Sequence, residues 1–314
     1  MPKIVISEFM DEAAVETLRA GNDVHLDETL CERPDDLAAA IAQAAALIVR
    51  NRTQVTAELI ANAPNLKAVG RLGVGLDNID LVACKARGIA VLPAIGANAA
   101  SVAEYVLCTA MLLLRAPAFS GTAQLQAGKW PRAALSQGRE LAGKTMGLIG
   151  FGSIGQATAD LARAAGFATL AHDDFLPADH AAWKTTSRAA TLNELLSRSD
   201  VISLHCPLTD ATRGLIGKNE LAAMKPGAIL INTARGGILD EAALAAALRS
   251  GHLGGAAVDV FSTEPIDAAT GKVFAGLENI LLTPHVAGVT IESNERISSM
   301  TAENVLRVLN EAKP

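Results

Sequence analysis

Aromatic residues make up only 3% of this 314-residue chain, although half of it is hydrophobic. Its core must therefore be built from Ala, Val, Leu and Ile, which suits close helix–sheet packing better than an aromatic-rich β-sandwich. The four cysteines, Cys31, Cys84, Cys108 and Cys206, show no Cys-x-x-Cys or Cys/His ligand spacing. Neither a disulfide framework nor a metal site is expected, and a reducing compartment fits. Runs of one charge are also missing: net charge is −6, and Lys and Arg are scattered. That argues against nucleic acid or anionic lipid as a partner. The longest apolar stretch, "YVLCTAMLLL" at 105–114, is about half of what a bilayer span needs, so it reads as a buried helix. No signal-peptide core follows the opening "MPKIVISEF". These absences predict a soluble cytoplasmic protein with a small-molecule partner and no membrane partner.

What is present is alternation. "KIVIS" (3–7), "AALIVR" (45–50) and "LKAVGR" (66–71) read as strands, with helices at 11–21 and 56–64 between them. A long apolar-faced helix is expected at about 99–117. A second series of six strands follows: 145–150, 168–173, 201–206, 228–233, 255–261 and 279–284. Strand–helix alternation with short connections means parallel sheets wrapped by right-handed crossovers. Six parallel strands suit a dinucleotide-binding sheet. An amphipathic helix at 290–312 cannot bury its apolar face alone, so it is expected to pack back on the first domain.

The second series opens on "GLIGFGSIG", with Gly150, Gly152 and Gly155 between a strand and a helix. The first glycine permits the tight turn, the second admits a pyrophosphate, and the third lets the helix approach the strand. The helix N-terminus adds unpaired N–H groups and partial positive charge. Asp173 ends the next strand, 18 residues beyond Gly155. A carboxylate there accepts from the ribose hydroxyls and repels a 2′-phosphate. No Lys or Arg intervenes before Lys184, so NAD is favoured over NADP.

Of the six histidines, His205 and His285 end strands of the second series, at the edge where open α/β sheets bind ligands. His285, in "LLTPHVAGVT", has small residues behind it and is the best candidate base. Glu264, in "DVFSTEP", follows the preceding strand and can orient it. Arg235 ends the apolar run "AILINTARGG", an unusual place for a guanidinium.

The blocks "VGRLGVGLDNID", "NAASVAEYVL", "GKTMGLIGFGSIG", "MKPGAILINTARGGILDEAALAAAL", "GGAAVDVFSTEP" and "NILLTPHVAG" stand in order along nearly the whole chain. Together they resemble the D-isomer-specific 2-hydroxyacid dehydrogenases, most closely the phosphoglycerate dehydrogenase branch. The resemblance implies an α/β fold: a Rossmann NAD-binding domain (99–287) inserted into a smaller flavodoxin-like substrate-binding domain (1–98 and 288–314). It implies Arg235, Glu264 and His285 as the catalytic set, with Arg235 also gripping the substrate. Ser153 and Ile154 match the pyrophosphate turn, and Cys206 and Pro207 positions near adenine; His205, at the end of the same strand, is expected among the cofactor-binding residues. Thr233, Ala234, Asp259 and Gly288 match positions around the nicotinamide. Gly236 and Gly237 are expected to keep the cofactor face open. Val74 and Gly75 match a loop whose N–H groups face the substrate carboxylate. Family members pair through the Rossmann domain, so a homodimer is implied.

Arg50, Arg52, Arg71 and Arg132 fall in segments that border the substrate in this family. Fixed guanidiniums suit carboxylate, phosphate or sulfonate, so a second anionic group is expected, as in 3-phosphoglycerate or 3-sulfolactate. "VRNRTQV" departs from that branch's usual "VRS" loop, and the chain stops at Pro314 without the regulatory domain of longer members. Both departures keep a sulfolactate dehydrogenase-like activity in view. The alternatives are a hydroxypyruvate or glyoxylate reductase and, from another class, an NAD-sensing corepressor-like module.

Overall fold

The structure, a computed structural model, describes residues 1–311. It divides into two compact units, Met1–Asn98 together with the chain from Val289 onward, and Ala99–Gly288. The first unit runs β1 (Lys3–Ile6), α1 (Glu12–Arg19), β2 (Asp23–Leu26), α2 (Pro34–Ile41), β3 (Ala44–Val49), α3 (Ala57–Ala61), β4 (Ala68–Arg71), α4 (Leu81–Ala86) and β5 (Ala90–Pro93). Its five parallel strands lie in the order β2-β1-β3-β4-β5, the flavodoxin-like order. Side chains alternate between two buried faces: Ile4, Ile6, Ala46 and Ile48 on one, Val5, Leu47 and Val49 on the other. Burial on both faces is why these strands read as continuous apolar runs.

The second unit runs α5 (Ala99–Leu114), the short helices α6 (Ala116–Phe119), α7 (Thr122–Gln126) and α8 (Arg132–Leu135), then β6 (Thr145–Ile149), α9 (Ser153–Ala164), β7 (Ala168–His172), β8 (Ser187–Arg188), α10 (Leu192–Arg198), β9 (Val201–Leu204), α11 (Lys218–Ala223), β10 (Ile229–Asn232), α12 (Glu241–Arg249), β11 (Gly255–Val258), α13 (Ala268–Gly271) and β12 (Ile280–Leu282). Its seven strands are all parallel, in the order β12-β11-β10-β9-β6-β7-β8. The chain reverses direction across the sheet between β6 and β9, and in such sheets the ligand crevice opens at the carboxyl ends of the strands at that point. Among the described residues no single helix is long and apolar enough to cross a membrane.

The C-terminal helix α14 (Ile291–Glu311) packs in the first unit, burying Ile297, Ala302, Val305 and Leu309 beside Ile4, Ile6 and Ile48. Its approach is close: a Cβ added at Gly70 of β4 would stand 2.8 Å from Val305 and 2.9 Å from Thr301. The packing expected of an amphipathic C-terminal helix is what is found. Residue 312 of the expected span lies outside the described residues.

Candidate active site

Arg235, Glu264 and His285 follow β10, β11 and β12, three adjacent strands of the second sheet. Each therefore leaves the sheet at its carboxyl edge. Behind Arg235, buried Asn232 clamps the turn: its Oδ1 accepts from Ala234 N–H at 3.0 Å and its Nδ2 donates to Arg235 O at 3.1 Å. The half-buried guanidinium donates from Nη1 to Ala234 O at 2.6 Å. The first of the two glycines after it is required by the chain's own packing, which the sequence did not suggest. A Cβ at Gly236 would stand 1.8 Å from Phe261 O, so backbone passes directly against it, and Gly237 takes φ +79°.

Glu264 is held before it holds anything. Phe261 N–H donates to its Oε1 at 2.9 Å, leaving Oε2 2.8 Å from His285 Nδ1. A carboxylate only accepts, so Nδ1 carries the proton and Nε2 presents its lone pair. The backbone of His285 is at φ +56°, the only positive φ outside glycine among the described residues. Such a conformation costs about 1–3 kcal/mol and persists only where surrounding contacts enforce it. Asp259, 1% exposed, supplies them. Its carbonyl accepts from His285 N–H at 2.8 Å, its Oδ1 from Val286 N–H at 2.9 Å, and its Oδ2 from Ala287 N–H at 2.9 Å. Sequence reasoning had assigned Asp259 to the nicotinamide surroundings and missed this grip on the histidine turn. It also missed Thr283, whose hydroxyl donates to Asp259 Oδ1 at 2.5 Å.

The glycine turn lies at the β6 end, beside the reversal point. Gly150 has φ +88°, and a Cβ there would meet Cys206 N at 2.8 Å. A Cβ on Gly155 would meet Gly150 O at 2.5 Å, whereas nothing lies within 4 Å of one on Gly152. The first and third glycines are thus required by the chain's own packing, and the second leaves open space before Ser153 and Ile154 at the start of α9. Asp173 follows β7 and turns back on this loop, its carboxylate accepting from Phe151, Phe175 and Leu176 N–H at 2.7–2.8 Å. Burial opposes its ionisation, but those three amides outweigh burial and hold the carboxyl below its ordinary range.

On the loop after β9, part of His205 reaches solvent while its Nε2 is buried with no hydrogen-bond partner among the described residues. Burial pushes this imidazole down to about 4, so it is neutral near pH 7. The neighbouring Cys206 thiol is pushed up to about 11 by burial, and Pro207 is exposed. Thr233 Oγ1, at the end of β10, is likewise buried and unpartnered. Ala234 is buried and Gly288 half-buried. An open glycine turn at a twelve-residue helix, two unpartnered buried polar atoms and a carboxylate, all at one sheet edge, fit a dinucleotide.

In the first unit, Arg50 and Arg52 follow β3. Glu8, 4% exposed, accepts from Arg50, Arg52 and Thr53 N–H at 2.8–3.0 Å and so fixes their loop. Half-buried Arg50 donates to the neutral amide of Asn294 at 2.9 Å. Burial lowers its pKa, against the pull of Glu8. Exposed Arg52 instead pairs with Glu32. Arg71 folds back to donate to Leu72 O at 2.6 Å, over Gly73. Val74 and Gly75 follow on the same loop, half-buried, with no acceptor for their N–H groups among the described residues. Arg132 belongs to the second unit, where it begins α8 and lines a surface hollow with Leu125, Trp130 and Leu135, none of them a candidate residue.

Residues 108–287 match the family described as D-isomer specific 2-hydroxyacid dehydrogenase, NAD binding domain. The chain is 55% identical to (S)-sulfolactate dehydrogenase of Chromohalobacter salexigens, over 98% of this chain and 99% of that protein. It is 40% identical to D-3-phosphoglycerate dehydrogenase of Mycobacterium leprae, over 97% of this chain but only 56% of that longer one. Among solved structures it is similar to D-lactate dehydrogenase of Aquifex aeolicus, complexed with NAD and lactic acid. The TM-score is 0.83 and the identity 29%, over 98% and 96% of the two chains.

Proposed function

The chain belongs to the D-isomer specific 2-hydroxyacid dehydrogenases and is an NAD-dependent oxidoreductase of 2-hydroxy acids; from that premise we propose how its own residues perform the reaction and on which acid. The observation that carries the proposal is the 2.8 Å contact between His285 Nδ1 and Glu264 Oε2, which leaves Nε2 as the proton acceptor. In the oxidation direction Nε2 takes the proton of the 2-hydroxyl. Glu264, anchored by Phe261 N–H, stabilises the imidazolium so formed. Arg235 binds the carboxylate and the C2 oxygen, which gains negative charge as its proton passes to His285.

Bound NAD supplies the hydride acceptor. Gly150, Gly152, Ser153, Ile154 and Gly155 would hold its pyrophosphate, Asp173 its ribose, Cys206 and Pro207 its adenine side, and Thr233, Ala234, Asp259 and Gly288 its nicotinamide side, with His205 a further contact at the same edge. In reduction the same steps reverse, with His285 starting protonated.

For the substrate we propose an acid with a second anionic group, with (S)-sulfolactate first and 3-phosphoglycerate second. Arg50 supports this: it is a half-buried cation joined to a neutral amide, on a loop that Glu8 holds in place. Arg71, Val74 and Gly75 offer further donors after β4, and Arg52 and Arg132 are the exposed candidates. Purified protein should be assayed with NAD or NADP against sulfolactate, 3-phosphoglycerate, lactate and glycolate. One charge-assisted contact predicts kcat/KM about tenfold to a hundredfold higher for a doubly anionic acid than for lactate, with NAD preferred. Equal kcat/KM for all four acids would reject the second-anion assignment.

We further propose a cytoplasmic homodimer formed through the second unit. Phe119 at 62% exposure and Trp130 at 79%, with Leu125 between them, give the α6–α8 segment an apolar surface unusual for a monomer. Sedimentation equilibrium should return twice the chain mass, and a single-chain species would overturn the dimer.

A further inference from the structure

We propose that Tyr105 and Thr283 are positioning residues: two hydroxyls in series that tie the turn bearing His285 to helix α5. The proposal rests on the reading of His285 as the proton acceptor and concerns what keeps it in place.

Thr283 Oγ1 has one proton, and the buried carboxylate of Asp259 at 2.5 Å can only accept it. The second contact of that oxygen, 2.6 Å from Tyr105 Oη, must therefore be a donation from the phenol to Thr283. The direction of both bonds follows from proton count alone. Tyr105 is the single tyrosine of the chain, and its hydroxyl reaches a residue 178 positions away. Burial pushes the phenol up, keeping it a donor at any working pH.

The carboxylate at the end of this series is the one around which residues 283–287 are wrapped. Oδ1 accepts from the Thr283 hydroxyl and Val286 N–H, Oδ2 accepts from Ala287 N–H, and the Asp259 carbonyl accepts from His285 N–H. His285 sits within that wrap in a left-handed backbone conformation, which side chains other than glycine adopt only under constraint. Thr283 orients the carboxylate from one side and Tyr105 orients Thr283. Loss of the Thr283 hydroxyl leaves the carboxylate to the Val286 and Ala287 amides alone, and loss of the Tyr105 hydroxyl leaves Thr283 unoriented; either loosens the turn that keeps the imidazole against Glu264. Bonds in series also make a specific statement: once Thr283 is gone, Tyr105 has nothing to act through.

The test uses Thr283→Val, Thr283→Ser, Tyr105→Phe and the double variant Tyr105→Phe/Thr283→Val, each assayed with saturating NAD and sulfolactate. Thr283→Val should lower kcat about tenfold to a hundredfold, and Tyr105→Phe about threefold to tenfold. Thr283→Ser should stay within about twofold of the parent, and the double variant should be no worse than Thr283→Val alone. The solvent deuterium isotope effect on kcat should rise in Thr283→Val and Tyr105→Phe, because proton transfer to a displaced imidazole becomes slower. A loss of folded protein would lower kcat and leave that ratio unchanged. Should Thr283→Val not fold, Tyr105→Phe decides by the same isotope effect, with Thr283→Ser as the parent-like control. Unchanged isotope effects, or fully additive losses in the double variant, would overturn the relay. If Thr283→Val turns over normally while His285→Ala does not, the relay alone is wrong. If both turn over normally, the reading of His285 fails with it.

Discussion

Replacing Arg235 with alanine should lower kcat by about 10²–10³-fold, the usual cost of removing a donor aimed at a developing oxyanion. KM for the acid should rise as well, because the same guanidinium grips the carboxylate in the ground state. Arg235→Lys should recover only part of the loss. An ammonium keeps the charge but not the planar fork that receives two oxygens together. The turn itself should survive, since Asn232 clamps Ala234 and the Arg235 carbonyl by side-chain bonds that do not involve the guanidinium. NAD affinity, read by tryptophan quenching or calorimetry, should therefore stay near that of the parent. Steady-state assay in both directions checks this, and kcat/KM within tenfold of the parent for Arg235→Ala would contradict the role.

The reason Arg235 can be picked out of the amino-acid sequence is physical. An apolar strand buried on both faces ends where the sheet ends, and a cation placed there has no business in the core. The same reasoning isolates His285 and Glu264, which leave neighbouring strands at the same edge. The glycine turn was legible for a similar reason: strand, turn and helix had to agree before three glycines meant anything. Asp173 was legible by spacing, but its three bonds to Phe151, Phe175 and Leu176 were not, because they depend on how the loop closes.

Other features left no trace. β2, "DVHL", is an edge strand with an exposed–half-buried alternation and no apolar run. β5 is half-buried throughout, and β8 is two exposed residues added to the far edge of the expected six strands. Gly236 was misread because the backbone that crowds it, at Phe261, arrives from another strand. The chain Tyr105–Thr283–Asp259 was invisible for the same reason. Its members come from a helix and two loops, 178 and 24 positions apart, and a hydroxyl in a sequence does not say what it will reach.

The second large effect concerns His285. Positioned acid–base catalysis contributes about 10²–10⁴-fold, and here one imidazole supplies it in both directions. Its Nδ1–H is committed to Glu264, which leaves Nε2 to take the proton. His285→Ala removes the base and leaves the glycine turn, Asp173 and Thr233 untouched. The loss should fall on kcat, and cofactor affinity should be preserved.

The most direct test is therefore single-turnover NAD reduction in His285→Ala at saturating NAD and sulfolactate, beside the parent protein. The rate should fall by about 10²–10⁴-fold while NAD still binds, with partial recovery on adding free imidazole as a substitute base. Reduction at the parent rate, with or without imidazole, would show that the proton leaves by another route and that the pairing of His285 with Glu264 is not what drives the reaction.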